Sequence, residues 1–484
     1  MRTAHSVDTV RAAECALMAE LPEGALMQRA AAGLAAACAD LLGRRVYGAR
    51  VALLVGSGDN GGDALYAGAR LARRGAGVTA VLLTPDRAHA GGLRALRSAG
   101  GRVTTADGAD GEAGVRAVRR ADLVVDGIVG IGGKGALREP AQELVAAAEG
   151  ALIVAVDLPS GVDADTGEVP GAAVRADATV TFGTYKPGLL IDPAREHAGA
   201  LRPVDIGLGP WLPAEPDAEA LQHADVAGLL PRPEAASDKY RRGVVGIVAG
   251  SARYPGAAVL AVAGALAGGA GAVRYAGPAA DAVIARFPET LVTTGPPAKA
   301  GRVQAWVIGP GLGDGPEARQ ALVDVLTSDV PVLVDADGLR LLDPQAVRAR
   351  SAETLLTPHA GEAAALLGLS REEVETSRLS SVRALADRFG ATALLKGSTT
   401  LVADRTHAVR VNPTGTPWLA TAGSGDVLSG LTGSLLAAGL STRDAASVGA
   451  YLHGLAAREL GNAPITSLAV AEELRRVWLD VAAG

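Results

Sequence analysis

Short continuous apolar runs alternate with helix-spaced segments along most of the chain. Leu17, Leu21, Leu26 and Leu34 recur at helical spacing, and the Pro-Glu-Gly break at 22–24 predicts two helices within residues 9–42. The run at 51–55 has strand length, and the glycine loop Gly56-Ser57-Gly58 with Asp59-Asn60-Gly61-Gly62-Asp63 leads from it into an Ala-rich helix. Strands are also predicted at 78–83, 123–126 and 152–156. Strand, loop and helix in this succession are the repeating unit of a doubly wound sheet.

The strand pattern stops between 207 and 233, where prolines fall at 210, 213, 216, 231 and 233, which sets a boundary between domains at 1–215 and 216–484. Beyond it, strands are predicted at 244–249, 306–308, 332–334, 354–356 and 393–395, each ending in a polar or glycine loop. The chain then reaches Gly423-Ser424-Gly425-Asp426, with a helix predicted over 427–436.

Composition supports an α/β core. The chain has 484 residues, 49% of them hydrophobic, but only 3% aromatic and with 63 glycines, so the core is built of Ala, Val and Leu around close backbone approaches. A net charge of −6 without a long basic run argues against a nucleic-acid partner. The N-terminus has no signal-peptide pattern, and the uncharged run at 257–273 is expected to be a buried helix, not a membrane span. Cys15 and Cys38 are expected to be reduced core residues, which favours a cytoplasmic setting.

Candidate chemistry gathers at the carboxyl ends of the strands, the edge where open α/β sheets bind ligands. In the first half Asn60, Asp126, Asp157 and Ser160 all fall there, and Lys134 among four glycines suits an anion. The 59–63 cluster offers oxygen ligands and N–H donors to a phosphate or a hard cation. It is not a dinucleotide fingerprint, because no acid ends the next strand. In the second half, a glycine turn into a helix N-terminus suits phosphate, and Asp426 there is either a general base or a plain helix-start acid. Lys396, with Gly397-Ser398-Thr399-Thr400, is either a phosphate counter-charge or a hairpin lysine, and His359 either contacts substrate or caps a helix.

Two resemblances narrow these choices. The motifs at 56–63, 126–135, 156–161 and 181–188 resemble the NAD(P)H-hydrate epimerase domain over roughly residues 1–212. That resemblance implies a Rossmann-like three-layer αβα domain with K+ held by Asn60, Asp126 and Ser160. It places substrate on Asp59, Asn60, Gly61, Gly62 and Asp63, on Gly130-Ile131-Gly132-Gly133-Lys134-Gly135-Ala136, and on Asp157. Asp157 is expected to carry protons, with Lys134 as its electrostatic helper. Asp59 and Ala64 stand where the family more often has Asn and Gly.

The motifs at 249–258, 309–313, 335–337, 356–359, 396–397 and 423–426 resemble the ADP- or ATP-dependent NAD(P)H-hydrate dehydratases, of ribokinase-like α/β fold, over about 224–484. By that resemblance Lys396, Gly397, Ser398, Thr399, Thr400 and Gly425 hold the nucleotide with Mg2+. Ala257, Gly313, His359 and Asp426 then face the hydrate, and Asp426 is the base. Together the two imply bifunctional repair of NADHX and NADPHX, with small-residue surfaces favouring a homo-oligomer. Alternatives are a ribokinase-like vitamin or hydroxymethyl kinase, which leaves the first domain unexplained, and a nucleotide-binding sensor or scaffold.

Overall fold

The computed structural model describes residues 1–107 and 111–483. They form two compact units, residues 3–217 and residues 218–484 together with Met1–Arg2.

In the first unit seven parallel strands follow the order Arg102–Thr105, Gly77–Leu82, Arg50–Val55, Leu123–Gly127, Leu152–Val156, Ala178–Phe182 and Ala200–Val204. Strand order reverses between Arg50–Val55 and Leu123–Gly127, paired Val51↔Leu123 through Val55↔Gly127. That reversal opens a crevice at their carboxyl ends. Alternate residues of Arg50–Val55 serve opposite faces. Val51, Leu53 and Val55 pack with Leu34 and Leu65 on one side, and Ala52 and Leu54 pack with Val118 and Leu144 on the other. Helices therefore cover both faces, which makes three layers.

The two N-terminal helices form as expected, at Val7–Glu20 and Ala25–Leu41. The 59–63 cluster is not a loop, however, because the next helix, Asp59–Arg73, begins at its first residue. Gly58, at φ 103°, makes the turn into it. Cys38 is buried but Cys15 lies on the exposed side of the first helix, so only one of the two is a core residue. The apolar stripe of that helix runs through Val7, Val10, Ala13 and Leu17, and leaves position 15 on the far side.

The second unit's sheet runs Leu291–Thr293, Ala272–Ala276, Val244–Val248, Ala305–Ile308, Val332–Val334, Thr354–Leu356, Thr392–Leu395, Thr400–Ala403, Val409–Asn412 and Ala218–Ala220. Pairings are parallel up to Thr392–Leu395, and the next two are antiparallel. Ala218–Ala220 lies in the proline-rich stretch where no strand is expected; it is three residues long and pairs Val409↔Ala218. The apolar run at 257–273 is split between the helix Pro255–Ala267 and the start of the strand Ala272–Ala276. Among the described residues no helix is long and apolar enough to cross a membrane.

Pro255–Ala267 packs on the helix Ser424–Ala437 at backbone distance. A Cβ on Gly430 would stand 1.8 Å from the Ala261 carbonyl oxygen, and one on Gly264 would stand 2.1 Å from that of Val427. Alanine has the better helix propensity by about 1 kcal/mol, but the atom it would meet is backbone and cannot swing aside. Gly430→Ala is therefore expected to destabilise this unit by about 1–3 kcal/mol, read as a lower urea midpoint with an unchanged slope.

Candidate active sites

In the first unit the strand end at Asp126 meets the turn at Ser160. The Asp126 carboxylate is fully buried, with Oδ1 accepting from Ser160 Oγ at 2.7 Å and Oδ2 from Ser160 N at 2.8 Å. Ser160 Oγ also accepts from Val129 N at 3.0 Å. Burial pushes the Asp126 pKa up to about 6 against the opposing pull of the Ser160 and Ile128 hydrogen bonds. Asn60 stands over the same loop, since a Cβ on Gly130 would lie 3.0 Å from its Oδ1, and its Nδ2 is buried without a partner. Asn60, Asp126 and Ser160 thus gather at the crevice between the two strands.

Asp157 follows Leu152–Val156 in a left-handed conformation, φ 66°, which is costly for a residue other than glycine. Its Oδ1 accepts from Phe182 N and Thr181 Oγ1, both at 3.1 Å, and from Lys186 Nζ in a buried ion pair. Lys186 is the cation on this carboxylate. Lys134 is exposed on the 130–136 loop, and no ion pair joins it to Asp157 among the described residues. The lysine paired with Asp157 is thus Lys186, which was not expected there. Lys186 sits one turn beyond the strand Ala178–Phe182, inside a motif already singled out, and it was missed because nothing in that motif shows its direction.

Asp63, the fifth residue of its helix, is only 8% exposed, with Oδ1 unpartnered. Burial, with Asp157, Asp59 and Glu14 adding to it, raises its pKa well above the usual carboxylate range. Glu14, raised by burial and lowered by Lys186, brings the first helix into the same field. Arg11 from that helix reaches the loop, where a Cβ on Gly132 would meet its Nη2 at 2.8 Å. Asp59 is exposed, Gly61 and Gly62 are buried, and Ile131, Gly133 and Ala136 are half-buried beside exposed Gly135. Arg11 and Glu14 lie three apart on one helix face, the signal that could have found them.

In the second unit the helix Ser424–Ala437 starts three residues earlier than expected. Gly423 turns into it at φ 85°, so Asp426 is its third residue, inside the first turn. Asp426 faces a cleft of about 1050 Å³ shared with Ala257, Gly311, Gly313, Asp337, Arg253 and Arg340. Both walls are helix N-termini, those of Pro255–Ala267 and Ser424–Ala437. Burial, then the Asp335 charge, lifts the Asp426 pKa to about 7, against the lowering effect of Lys396.

Lys396 Nζ lies 2.7 Å from Asp335 Oδ1 and 3.8 Å from Glu362 Oε2. Burial pulls its pKa down, but the two carboxylates outweigh burial and the net shift is upward. Asp335, 1% exposed, also accepts from Ser429 Oγ at 2.7 Å. Ala336 beside it has φ 47°, and Asp337 Oδ2 accepts from Gly313 N at 2.8 Å. Asp335, Asp337, Glu362 and Ser429 were not expected as site residues, although Asp335-Ala336-Asp337 was visible as a strand-end motif.

Buried Arg378 donates to the carbonyls of Lys396 and Thr399 and holds the loop between them. Thr400 spends its hydroxyl on the Gly397 carbonyl at 3.3 Å, and Thr399 is buried, so exposed Gly397 and Ser398 are the donors left for a ligand. A Cβ on Gly425 would stand 3.3 Å from Lys396 Nζ, which brings this loop to the helix start. His359 takes the capping role. Its Nδ1 accepts from Gly361 N at 3.0 Å and Glu362 N at 3.2 Å, with Glu362 returning a bond to His359 N. His359 is exposed and does not line the cleft.

Known proteins align with both units. The family model described as NAD(P)H-hydrate dehydratase matches residues 245–476, and that described as YjeF-related protein N-terminus matches residues 23–188. A bifunctional NAD(P)H-hydrate repair enzyme Nnr of Mycobacterium leprae is 50% identical over 465 residues, covering 94% of each chain. The enzyme of the same name from Escherichia coli is 38% identical, covering 84% of this chain and 79% of its own. The crystal structure of the ADP/ATP-dependent NAD(P)H-hydrate dehydratase from Bacillus subtilis, co-crystallized with ATP/Mg2+, is 28% identical. It superposes with a TM-score of 0.50 over 54% of this chain and 97% of its own. A ribokinase-like superfamily protein from Enterococcus faecalis, 22% identical with a TM-score of 0.50 over 55% of this chain and 98% of its own, shares the fold. With half its residues identical over nearly its whole length to such a relative, the chain belongs to the bifunctional NAD(P)H-hydrate repair enzyme family.

Proposed function

We propose that the two strand-edge sites divide one repair between them. As a member of its family the chain is a bifunctional enzyme, an NAD(P)H-hydrate epimerase and an ADP- or ATP-dependent NAD(P)H-hydrate dehydratase. We place epimerisation of the R and S hydrates around Asp157, Asp63 and the 130–136 loop, and dehydration of the S hydrate at the Asp426 cleft. The observation that carries the second assignment is Asp426 itself, a carboxyl in a helix N-terminal turn at the cleft wall, with the Lys396 loop at its shoulder.

In the dehydratase site Asp426 takes the proton of the hydrate hydroxyl, whose oxygen attacks the terminal phosphorus of the nucleotide. Lys396, held by Asp335 and Glu362, and the N–H groups of the helix start offset charge on the transferred phosphoryl group. Phosphate then departs with the carbon–oxygen electron pair, assisted by the ring nitrogen lone pair, and the adjacent ring carbon gives up a proton to solvent as the double bond returns. The 397–400 loop positions the nucleotide through Gly397 and Ser398, while Ala257 and Gly313 border the hydrate. His359 acts from outside the cleft, capping the helix Ala360–Leu367 whose Glu362 stands beside Lys396. Magnesium supplies further charge neutralisation when bound. Among the described residues no group of three His, Cys, Asp or Glu is placed to hold a metal ion.

A potassium ion suits the first unit. Asp126 is a buried carboxylate with no ion-pair partner among the described residues, and Ser160 and Asn60 add neutral oxygens. One charge among neutral oxygens fits a monovalent hard ion. Asn60, Asp126 and Ser160 would hold it at the crevice, where it would fix the loop that carries substrate.

Asp426→Asn is expected to cut the nucleotide-dependent return of NADH absorbance from hydrated NADH by about 10²- to 10⁴-fold while R and S hydrates still interconvert; Asp157→Asn should do the reverse. Phosphorylation of a small alcohol without recovery of NADH would instead favour a vitamin-type kinase. Because a base works only when ionised, dehydration kcat/KM should fall about tenfold per pH unit below the Asp426 pKa of about 7 and level off above it. In KCl, against choline chloride, thermal unfolding of the first unit should shift upward, and Asp126→Asn should lose that increment.

A further inference from the structure

The carboxyl groups of the epimerisation site also bear on which bond breaks when the hydrate changes hand. The carbon that inverts, C6 of the hydrated ring, bears a hydroxyl and is bonded to the ring nitrogen. It can lose its configuration in two ways. A base can remove the hydroxyl proton while the carbon–nitrogen bond opens to an aldehyde, which recloses on the other face. Alternatively an acid can protonate the hydroxyl, so that the carbon–oxygen bond breaks and the nitrogen lone pair supports a ring cation. The first route builds negative charge on oxygen and nitrogen, and the second builds positive charge on the ring.

The surroundings favour the second route. Asp63 and Glu14 each lie within electrostatic reach of Asp157 and Asp59. The buried cation is Lys186, and all three of its donors are spent, on Asp157 Oδ1, on Thr181 Oγ1 at 3.1 Å and on the Phe182 carbonyl at 3.2 Å. It has no proton left to offer a developing oxyanion. Arg11 is exposed beside Gly132. Asp63 is more than nine-tenths buried with Oδ1 unpartnered, the setting of a carboxyl that keeps its proton and can give it up. Asp157 has Oδ1 saturated, and no hydrogen bond reaches its Oδ2 among the described residues.

We propose that epimerisation passes through this ring cation, with Asp63 as the acid and Asp157 as the base on the opposite face. Asp63 protonates the C6 hydroxyl, the carbon–oxygen bond breaks with its electron pair leaving in water, and the nitrogen lone pair forms a double bond to C6. A water molecule then adds to the other face, and its surplus proton passes to Asp157 Oδ2. Proton exchange with solvent resets the two carboxyls, and in the reverse direction they exchange roles. The inference rests on the placement of epimerisation at Asp157.

The test uses the full-length enzyme without nucleotide, so that no S hydrate is dehydrated. Pure R-NADHX is epimerised in water enriched in oxygen-18, and the S product is analysed by mass spectrometry against an enzyme-free control. The ring cation requires one solvent oxygen in every molecule of S epimer formed by the enzyme, and product that retains its original oxygen overturns it. Asp63→Asn should lower epimerisation kcat by about 10²-fold or more with KM changed only a few-fold, and parental turnover removes Asp63 as the acid. The site assignment fails separately, if Asp157→Asn epimerises at the parental rate. The labelling result comes from the unaltered protein and stands however the variants fold.

Discussion

The cleft proposed as the dehydratase site depends on how closely two helix backbones approach. Gly264 and Gly430 let Pro255–Ala267 and Ser424–Ala437 pack with no side chain between them, while Gly433 admits Val307 from the sheet below. Both helices begin at the cleft, so this contact also fixes the separation of its walls. A side chain at the crossing would act on the distance from Asp426 to Ala257 as well as on packing density.

The two units solve a common electrostatic problem in the same way. Each ends a central strand in a buried aspartate, Asp157 after Leu152–Val156 and Asp335 after Val332–Val334. Each answers it with a lysine delivered just beyond another strand, Lys186 or Lys396. Without its lysine either carboxylate would be a buried group lacking its ion-pair partner, which is costly. Backbone strain sits at the same places, in Asp157 and in Ala336, and strain that persists is held by the structure around it. Among the described residues Asp157 remains open at one oxygen, whereas both Asp335 oxygens are engaged, one by Lys396 and the other by Ser429.

Much of this was legible in the sequence. The apolar runs located the central strands to within a residue or two, because parallel strands buried on both faces need uninterrupted Val, Leu and Ala. The strand-end positions of Asp126, Asp157, Ser160 and Lys396 followed from that edge, and the place of Asp426 followed from the glycine turn into a helix. What stayed hidden depends on direction and distance. Lys186 and Asp335 were seen as members of motifs, but which carboxylate a lysine meets is set by neighbouring strands far apart in sequence. The 59–63 and 424–426 segments looked like loops because glycine disfavours helix, yet tertiary contacts carry each helix back through its glycines. The Ala218–Ala220 strand was too short to show any period.

The unequal burial of the two cysteines gives the molecule a built-in chemical handle. Cys38 is sealed in the core, and burial pushes its thiol up to about 12, so it is inert as a nucleophile near neutrality. Cys15 is exposed on the helix whose Arg11 and Glu14 turn toward the proposed epimerisation site. A thiol-reactive dye would therefore label the native protein at one position without any substitution. It would sit on the helix that carries Arg11 and Glu14, beside the proposed first site, so its fluorescence could report occupancy there independently of turnover at the second.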